Sequence, residues 1–206
     1  YTSMQVIAYP SKVGTTEFRK SQINSLKPRP TQGGMVSITF DDGWESIYRI
    51  GKPLFEKYNM PTTQYVISSY SVKQVDGYMT VGQLKTLQKE GHEIASHSLK
   101  HCNQTLLAAK DLTYDVNESK KLLADKGLDI QGFAYPYGAH NYATNVATTN
   151  TYQYARTSNV GYNDYYVNPY QIHTQNITEQ TTPEQINQWL DYAKAPNLWL
   201  VLVYHR

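Results

Sequence analysis

The segment Thr39-Phe40-Asp41-Asp42-Gly43 closes an apolar run, Met35-Val36-Ser37-Ile38, and sets two carboxylates side by side. Further along, Glu93-Ile94-Ala95 leads into His97-Ser98-Leu99-Lys100-His101, two imidazoles four residues apart. Two imidazole nitrogens and one carboxylate oxygen suit zinc or a similar first-row ion and leave a position open for water. Successive side chains at a strand end diverge, so one of Asp41 and Asp42 can ligate while the other faces a substrate. Two adjacent carboxylates repel each other unless a cation sits beside one; the free one is then a general base for water. His97 and His101 share a face if the segment between them makes one helical turn. An Asp-Asp-Gly triplet alone is an ordinary turn, and a lone His-x-x-x-His is weak. Both together, each behind a strand, point to a metal-dependent hydrolase.

Elements that could position these residues are marked by breakers and periodicity. Lys27-Pro28-Arg29-Pro30 with Gly33-Gly34 separates a lead-in (residues 1–33, one strand at Met4–Tyr9) from a catalytic body over 34–206. In the body, short apolar runs read as strands at Met35–Phe40, Thr63–Ile67, His92–Ala95, Gln131–Tyr135, Tyr154–Arg156, Tyr170–Ile172 and Leu198–Tyr204. Helices are predicted at Trp44–Tyr58 (Ile47, Ile50, Leu54 and Phe55 on one face), Val81–Glu90 behind a Thr80 cap, Leu112–Lys126, Tyr142–Asn150, and from Pro183 to Ala193. Strand and helix alternate, and the strands are continuously apolar, which implies a parallel sheet buried on both faces. A (β/α) barrel and an open doubly wound sheet fit this pattern equally. Chemistry favours the barrel, because Asp41, Asp42, His97, Pro136 and His205 all lie just past strand ends that a barrel gathers around one mouth.

Composition narrows the partners. Lys+Arg 19 against Asp+Glu 17 gives no basic surface for nucleic acid, and no apolar stretch has the length of a membrane span. Nineteen Tyr against four Phe supply aromatic faces that also hydrogen-bond, a combination suited to sugars, while most of them read as core rings with exposed hydroxyls. The single Cys102 excludes an intrachain disulfide and reads as a buried thiol rather than a fourth ligand. His92, His140 and His173 read as ordinary polar residues, with only His140, in the loop after Gly138, placed to touch substrate. Trp44 is expected to line the cleft, and Trp189 and Trp199 to pack in the core or against a helix.

Four segments in this order, Thr39–Gly43, His97–His101, Tyr135-Pro136-Tyr137-Gly138 and Leu202-Val203-Tyr204-His205, resemble the polysaccharide deacetylases (NodB-like, carbohydrate esterase family four). The resemblance spans about residues 34 to 205. It implies a distorted (β/α) barrel of about seven parallel strands that hydrolyses the N-acetyl amide of an N-acetylglucosamine polysaccharide. Asp41 resembles the catalytic base and His205 the catalytic acid. Asp42, His97 and His101 resemble ligands of one divalent ion, zinc first, with cobalt, nickel or manganese as alternatives. The Tyr137 N–H, in the turn begun by Pro136, resembles the oxyanion donor. The third motif usually opens with an arginine that steers the catalytic aspartate, whereas here that position is Ala134. Arg156, at the end of the next short strand, is the candidate replacement, aiming a forked hydrogen bond at Asp41. The family's acid-and-tryptophan motif has no clear counterpart, and Asp164 is given no catalytic part.

Two other functions share these residues: an acetyl-ester esterase, as on acetylated xylan, and a non-catalytic glycan-binding relic. Binding alone would require neither base, ligands nor acid. An acetylated glycan as substrate, a monomer, and a secreted or cell-surface location are the accompanying expectations.

Overall fold

A computed structural model describes residues 5–6, 34–194 and 198–205. Among the described residues, eight parallel strands form one sheet in chain order: β1 (Gln5–Val6), β2 (Met35–Phe40), β3 (Thr63–Val66), β4 (Glu93–Ser96), β5 (Gly132–Ala134), β6 (Tyr154–Val160), β7 (Ile172–Asn176) and β8 (Trp199–Tyr204). β2 also pairs with β8 along its whole length, from Met35↔Trp199 to Phe40↔Tyr204, so the sheet closes as a seven-stranded barrel. β1 lies beside the start of β2, with Gln5 opposite Met35. The rest of the expected Met4–Tyr9 strand lies outside the described residues, as does nearly all of the lead-in.

Strand pleat sorts the side chains into two layers. Met35, Tyr65, Ala95, Ala134, Tyr154, Ile172, Trp199 and Val201, at least one from each of the seven barrel strands, pack together inside the barrel. Val66, Ile94 and Phe133, on the opposite parity, pack outward against Leu84, Leu87, Leu112, Val116 and Leu123. Those last five belong to α3 (Val81–Lys89) and α4 (Ala109–Ala124), which come after α1 (Lys52–Tyr58) and α2 (Ser68–Val72) and precede α5 (Tyr142–Thr151) and α6 (Pro183–Ala193). Continuing the inner parity past the strand ends reaches Asp41 on β2, His97 on β4 and His205 on β8; Arg156 is on the same parity within β6.

The predicted helix over Trp44–Tyr58 is corrected in its face. Ile47 and Phe55 are buried, but Ile50 and Leu54 are 64% and 52% exposed. The stretch Ile47–Gly51 is a π turn, with the Lys52 N–H bonded to the Ile47 carbonyl, before α1 resumes with Pro53 in its first turn. One extra residue in a turn rotates the succeeding side chains by about 100°, which carries those two outward. Helix α2 has no counterpart in the expected elements. β7 begins at Ile172 rather than at Tyr170, and β6 runs four residues beyond Arg156. The other elements fall within a few residues of expectation, Thr80 capping α3 reciprocally with Gln83 and Thr182 capping α6.

Candidate active site and metal centre

At the top of β2 the Asp41 N–H donates to the Tyr204 carbonyl at 2.9 Å, holding the motif against β8. The chain then enters the left-handed region at Asp42 (φ 69°) and Gly43 (φ 79°). A Cβ on Gly43 would lie 3.0 Å from the Val66 side chain, so glycine is required both for its conformation and for its room. This turn separates the two carboxylates: Asp41 dips into the barrel mouth, and Asp42 turns toward the loop after β4.

That loop carries the two histidines, but not on a helical turn as expected. Ser98 (φ 67°) and His101 (φ 59°) bend the chain through the left-handed region, and the Ser98 hydroxyl accepts the His101 N–H at 2.9 Å. The bend brings the ring centroids within 4.7 Å. His97 Nδ1 lies 2.8 Å from the Ala134 carbonyl oxygen, which can only accept, so the proton sits on Nδ1 and the Nε2 lone pair faces inward. Asp42 Oδ1 is 3.7 Å from His97 Nε2 and 3.4 Å from His101 Nε2. One atom from each of Asp42, His97 and His101 falls within 4.8 Å of the others.

The residues fit a divalent cation on their own chemistry. Asp42 Oδ1 is buried with no hydrogen-bond partner, an expensive state for a carboxylate oxygen unless something positive lies beside it. Burial lowers the pKa of His97, outweighing the nearby Asp41 carboxylate, so this imidazole favours the neutral form that ligation needs. Cys102 is half-buried and its Sγ points to Asp115 Oδ2 at 3.8 Å, outside this cluster.

Asp41 is 4% exposed and Arg156 2%. Arg156 Nη2 donates to both Asp41 oxygens, at 2.5 and 2.6 Å, while Nη1 donates to the Thr157 carbonyl at 3.0 Å. One nitrogen thus serves both oxygens, rather than the two parallel bonds of a fork. Arg156 is the strand partner of Ala134, and Gly132 that of Tyr154. Small inward residues on β5 leave the space that large ones on β6 occupy; a Cβ on Gly132 would lie 2.1 Å from the Tyr154 ring. The guanidinium absent from position 134 is therefore supplied one strand over, at the same level. Burial alone would raise the pKa of Asp41, but the Arg156 charge, aided by His97 and His205, holds it below the usual aspartate range. Beneath Arg156 lies the Tyr65 ring, 4.8 Å from the guanidinium carbon.

Asp41 Oδ2 is 3.8 Å from His97 Nε2 and 3.8 Å from His205 Nε2. His205 is half-exposed, whereas the Asp41 carboxylate it faces is buried. Pro136, buried, starts a single 3-10 turn whose hydrogen bonds are donated by Gly138 and Ala139, leaving the Tyr137 N–H outside that ladder. Tyr137 (φ 60°) turns its ring outward, 67% exposed and 4.6 Å from the His101 ring. Gly138 lets this turn press on β6, since a Cβ there would be 1.8 Å from Ser158 Oγ.

The other polar candidates lie elsewhere. His140 stacks on Tyr135 and bonds the Gly138 carbonyl, and His92 accepts the Thr62 N–H at 3.1 Å. Asp164 accepts from the Tyr166 N–H in a turn. Trp199 packs inside the barrel as expected and Trp189 is partly buried beside β8. Trp44 was expected in the cleft wall; its indole bonds Asp42 Oδ2 at 3.0 Å. Sequence reasoning missed Tyr65 and Glu93, although both stand on the inward parity of their strands.

The chain resembles known proteins in sequence and in fold. The chain is 32% identical over 130 residues to YxkH of Bacillus subtilis (strain 168), covering 61% of this chain and 45% of that protein. It is 32% identical over 120 residues to the poly-beta-1,6-N-acetyl-D-glucosamine N-deacetylase of Staphylococcus aureus (strain MRSA252), covering 52% of this chain and 41% of that one. The chain thus spans less than half the length of these curated relatives. Among solved structures, the Streptococcus pyogenes deacetylase PplD superposes with a TM-score of 0.73 at 22% identity, over 85% of this chain and 77% of that chain. The sequence profile of the polysaccharide deacetylases matches residues 28–155, which contain both carboxylates, both histidines and the Tyr135–Gly138 turn, and the chain belongs to that family.

Proposed function

We propose that this chain is a metal-dependent hydrolase that removes N-acetyl groups from an N-acetylglucosamine polysaccharide. The observation that carries the reading is the division of labour between adjacent carboxylates: Asp41 is clamped by a buried arginine, and Asp42 offers a bare oxygen to two imidazoles. The S. aureus relative, named for deacetylation of such a polymer, supports the substrate class.

Asp42, His97 and His101 would hold the cation, zinc by the donor set, with cobalt, nickel or manganese as alternatives. When bound it supplies Lewis acidity toward the acetyl carbonyl and toward water. Asp41, ionised and fixed by Arg156, takes a proton from the water that attacks the carbonyl carbon. The Tyr137 N–H donates to the oxygen that becomes negative, a contact worth about 3 kcal/mol at a transition state of this kind. His205, across Asp41 and open to solvent, protonates the departing amine nitrogen. The C–N bond breaks, giving acetate and a free amino sugar. A polymeric glycan substrate places the reaction at the cell surface or outside it. Among the described residues no helix is long and apolar enough to cross a membrane.

The test is acetate release from acetylated β-1,6- and β-1,4-linked glucosamine oligomers, and from acetylxylan, before and after chelation and zinc return. Release from the glucosamine oligomers that stops with chelator, returns with zinc and is absent in D41N is expected. Release from acetylxylan alone would move the assignment to an esterase. No release from any of them would refute it.

A further inference from the structure

Trp44 comes directly after the Asp41-Asp42-Gly43 turn, and both its backbone and its ring are held in place. The Glu45 N–H donates to the Gly77 carbonyl at 2.9 Å and the Met79 N–H to the Gly43 carbonyl at 2.8 Å, flanking an antiparallel bridge between Trp44 and Tyr78. The indole lies on the Tyr78 ring, centroids 4.5 Å apart and planes 24° from parallel, and the Tyr70 ring closes edge-on behind Tyr78 at 4.8 Å. Backbone and stack together fix the direction of the indole N–H, which donates to Asp42 Oδ2 at 3.0 Å. The two oxygens of Asp42 are thereby made unequal. Oδ2 has a neutral donor; Oδ1 is buried, without a hydrogen bond, and faces His97 Nε2 and His101 Nε2.

We infer that Trp44 is a positioning residue that selects Oδ1 as the single carboxylate oxygen Asp42 offers to the cation. The inference rests on the metal reading above and deepens it. A carboxylate without such a donor turns about its last torsion and can present both oxygens, the mode that larger oxygen-seeking cations such as calcium accept. A carboxylate pinned at one oxygen presents one, as small four-coordinate ions such as zinc prefer. Donors behind a ligand are worth about 10- to 100-fold in metal affinity. Trp44 would therefore set both the strength of binding and the preference for zinc over calcium.

The experiment is a chelator-competition titration of the metal-free chain with zinc and with calcium, for the parent protein and W44F. Phenylalanine keeps an aromatic ring on Tyr78 but has no N–H. The expected result is zinc affinity lower by about 10- to 100-fold, a narrowed zinc-to-calcium ratio, and a metal-free form that still unfolds cooperatively. Equal zinc affinity in W44F and parent overturns the inference and leaves the metal reading standing. No zinc binding by the parent overturns both. Should W44F fail to fold, the indole N–H resonance of Trp44 in the 15N-labelled parent decides the matter. A shift as zinc is added supports the role, and a resonance that stays in place refutes it.

Discussion

Replacing Arg156 by methionine keeps much of the side chain's volume and removes its charge, which isolates what the guanidinium does for Asp41. In the parent protein one guanidinium nitrogen reaches both Asp41 oxygens, in a place where neither residue is more than 4% exposed. Both groups are buried from bulk water, so solvent cushions the loss little. Hydrogen bonds to a charged group contribute about 1.5–3 kcal/mol, which as lost orientation of the base corresponds to roughly 10- to 100-fold in kcat. The pH profile gives a sharper signature. The Asp41 pKa is held below the ordinary aspartate value of 3.8 because Arg156, together with His97 and His205, outweighs burial. Without Arg156 the largest of the lowering contributions is gone, and the Asp41 pKa rises. The base then takes up its proton as pH falls at higher values than before, and an acid limb appears in kcat where the parent is flat. The same isolation of a buried charge costs about 3–5 kcal/mol of stability at neutral pH. The assay is kcat against pH at saturating zinc, with metal content measured in parallel. A variant with parental kcat and an unmoved acid limb would refute the assignment of Arg156 as the orienter of the base. A variant that loses zinc as well would mean that the arginine supports the whole site rather than Asp41.

Because Ala134 and Arg156 are strand partners on the inward face, an arginine at either position should reach Asp41. The double variant A134R/R156A is expected to recover at least about tenfold in kcat over R156A; no recovery would show that the level in the barrel is not what matters. Deeper in the same barrel, Glu93 accepts from Tyr154 at 2.6 Å and from Thr63 at 2.9 Å, yet burial outweighs both and pushes its pKa up to about 7. The folded chain keeps a proton there that the unfolded chain releases above 4.5. This contribution to stability is therefore whole below that value and is lost as pH rises through about 7. E93Q should gain on the parent by about 3 kcal/mol between mildly acid and mildly alkaline pH, read from urea midpoints. A gap that does not change with pH would mean that Glu93 is already ionised in the fold.

Much of the site is present in local sequence. Asp41, Asp42, His97, His101 and the Tyr135–Gly138 turn stand next to strand ends, and strand ends can be recognised from apolar runs bounded by breakers. The inward parity that joins Asp41 to Thr39, His97 to Ala95 and His205 to Val203 is also a property of the chain, since pleat alternates whatever the neighbours are. Even the choice of Arg156 came from its place at a strand end, once Ala134 was seen where an arginine was missing.

What folding alone decided concerns contacts between segments. Ser98 and His101 adopt left-handed conformations that no helical spacing anticipates, because the loop must bend back for both rings to face Asp42. The π turn at Ile47–Gly51 shifted a helical face, since one wider turn changes the phase of every later residue in the helix. Register placed Arg156 beside Ala134, and only then did the small residues of β5 become the space for the large ones of β6. Residue types and spacing fix which groups can do the chemistry; which oxygen of Asp42 is bare, and which cation holds Asp41, depends on distances across strands that no single segment contains.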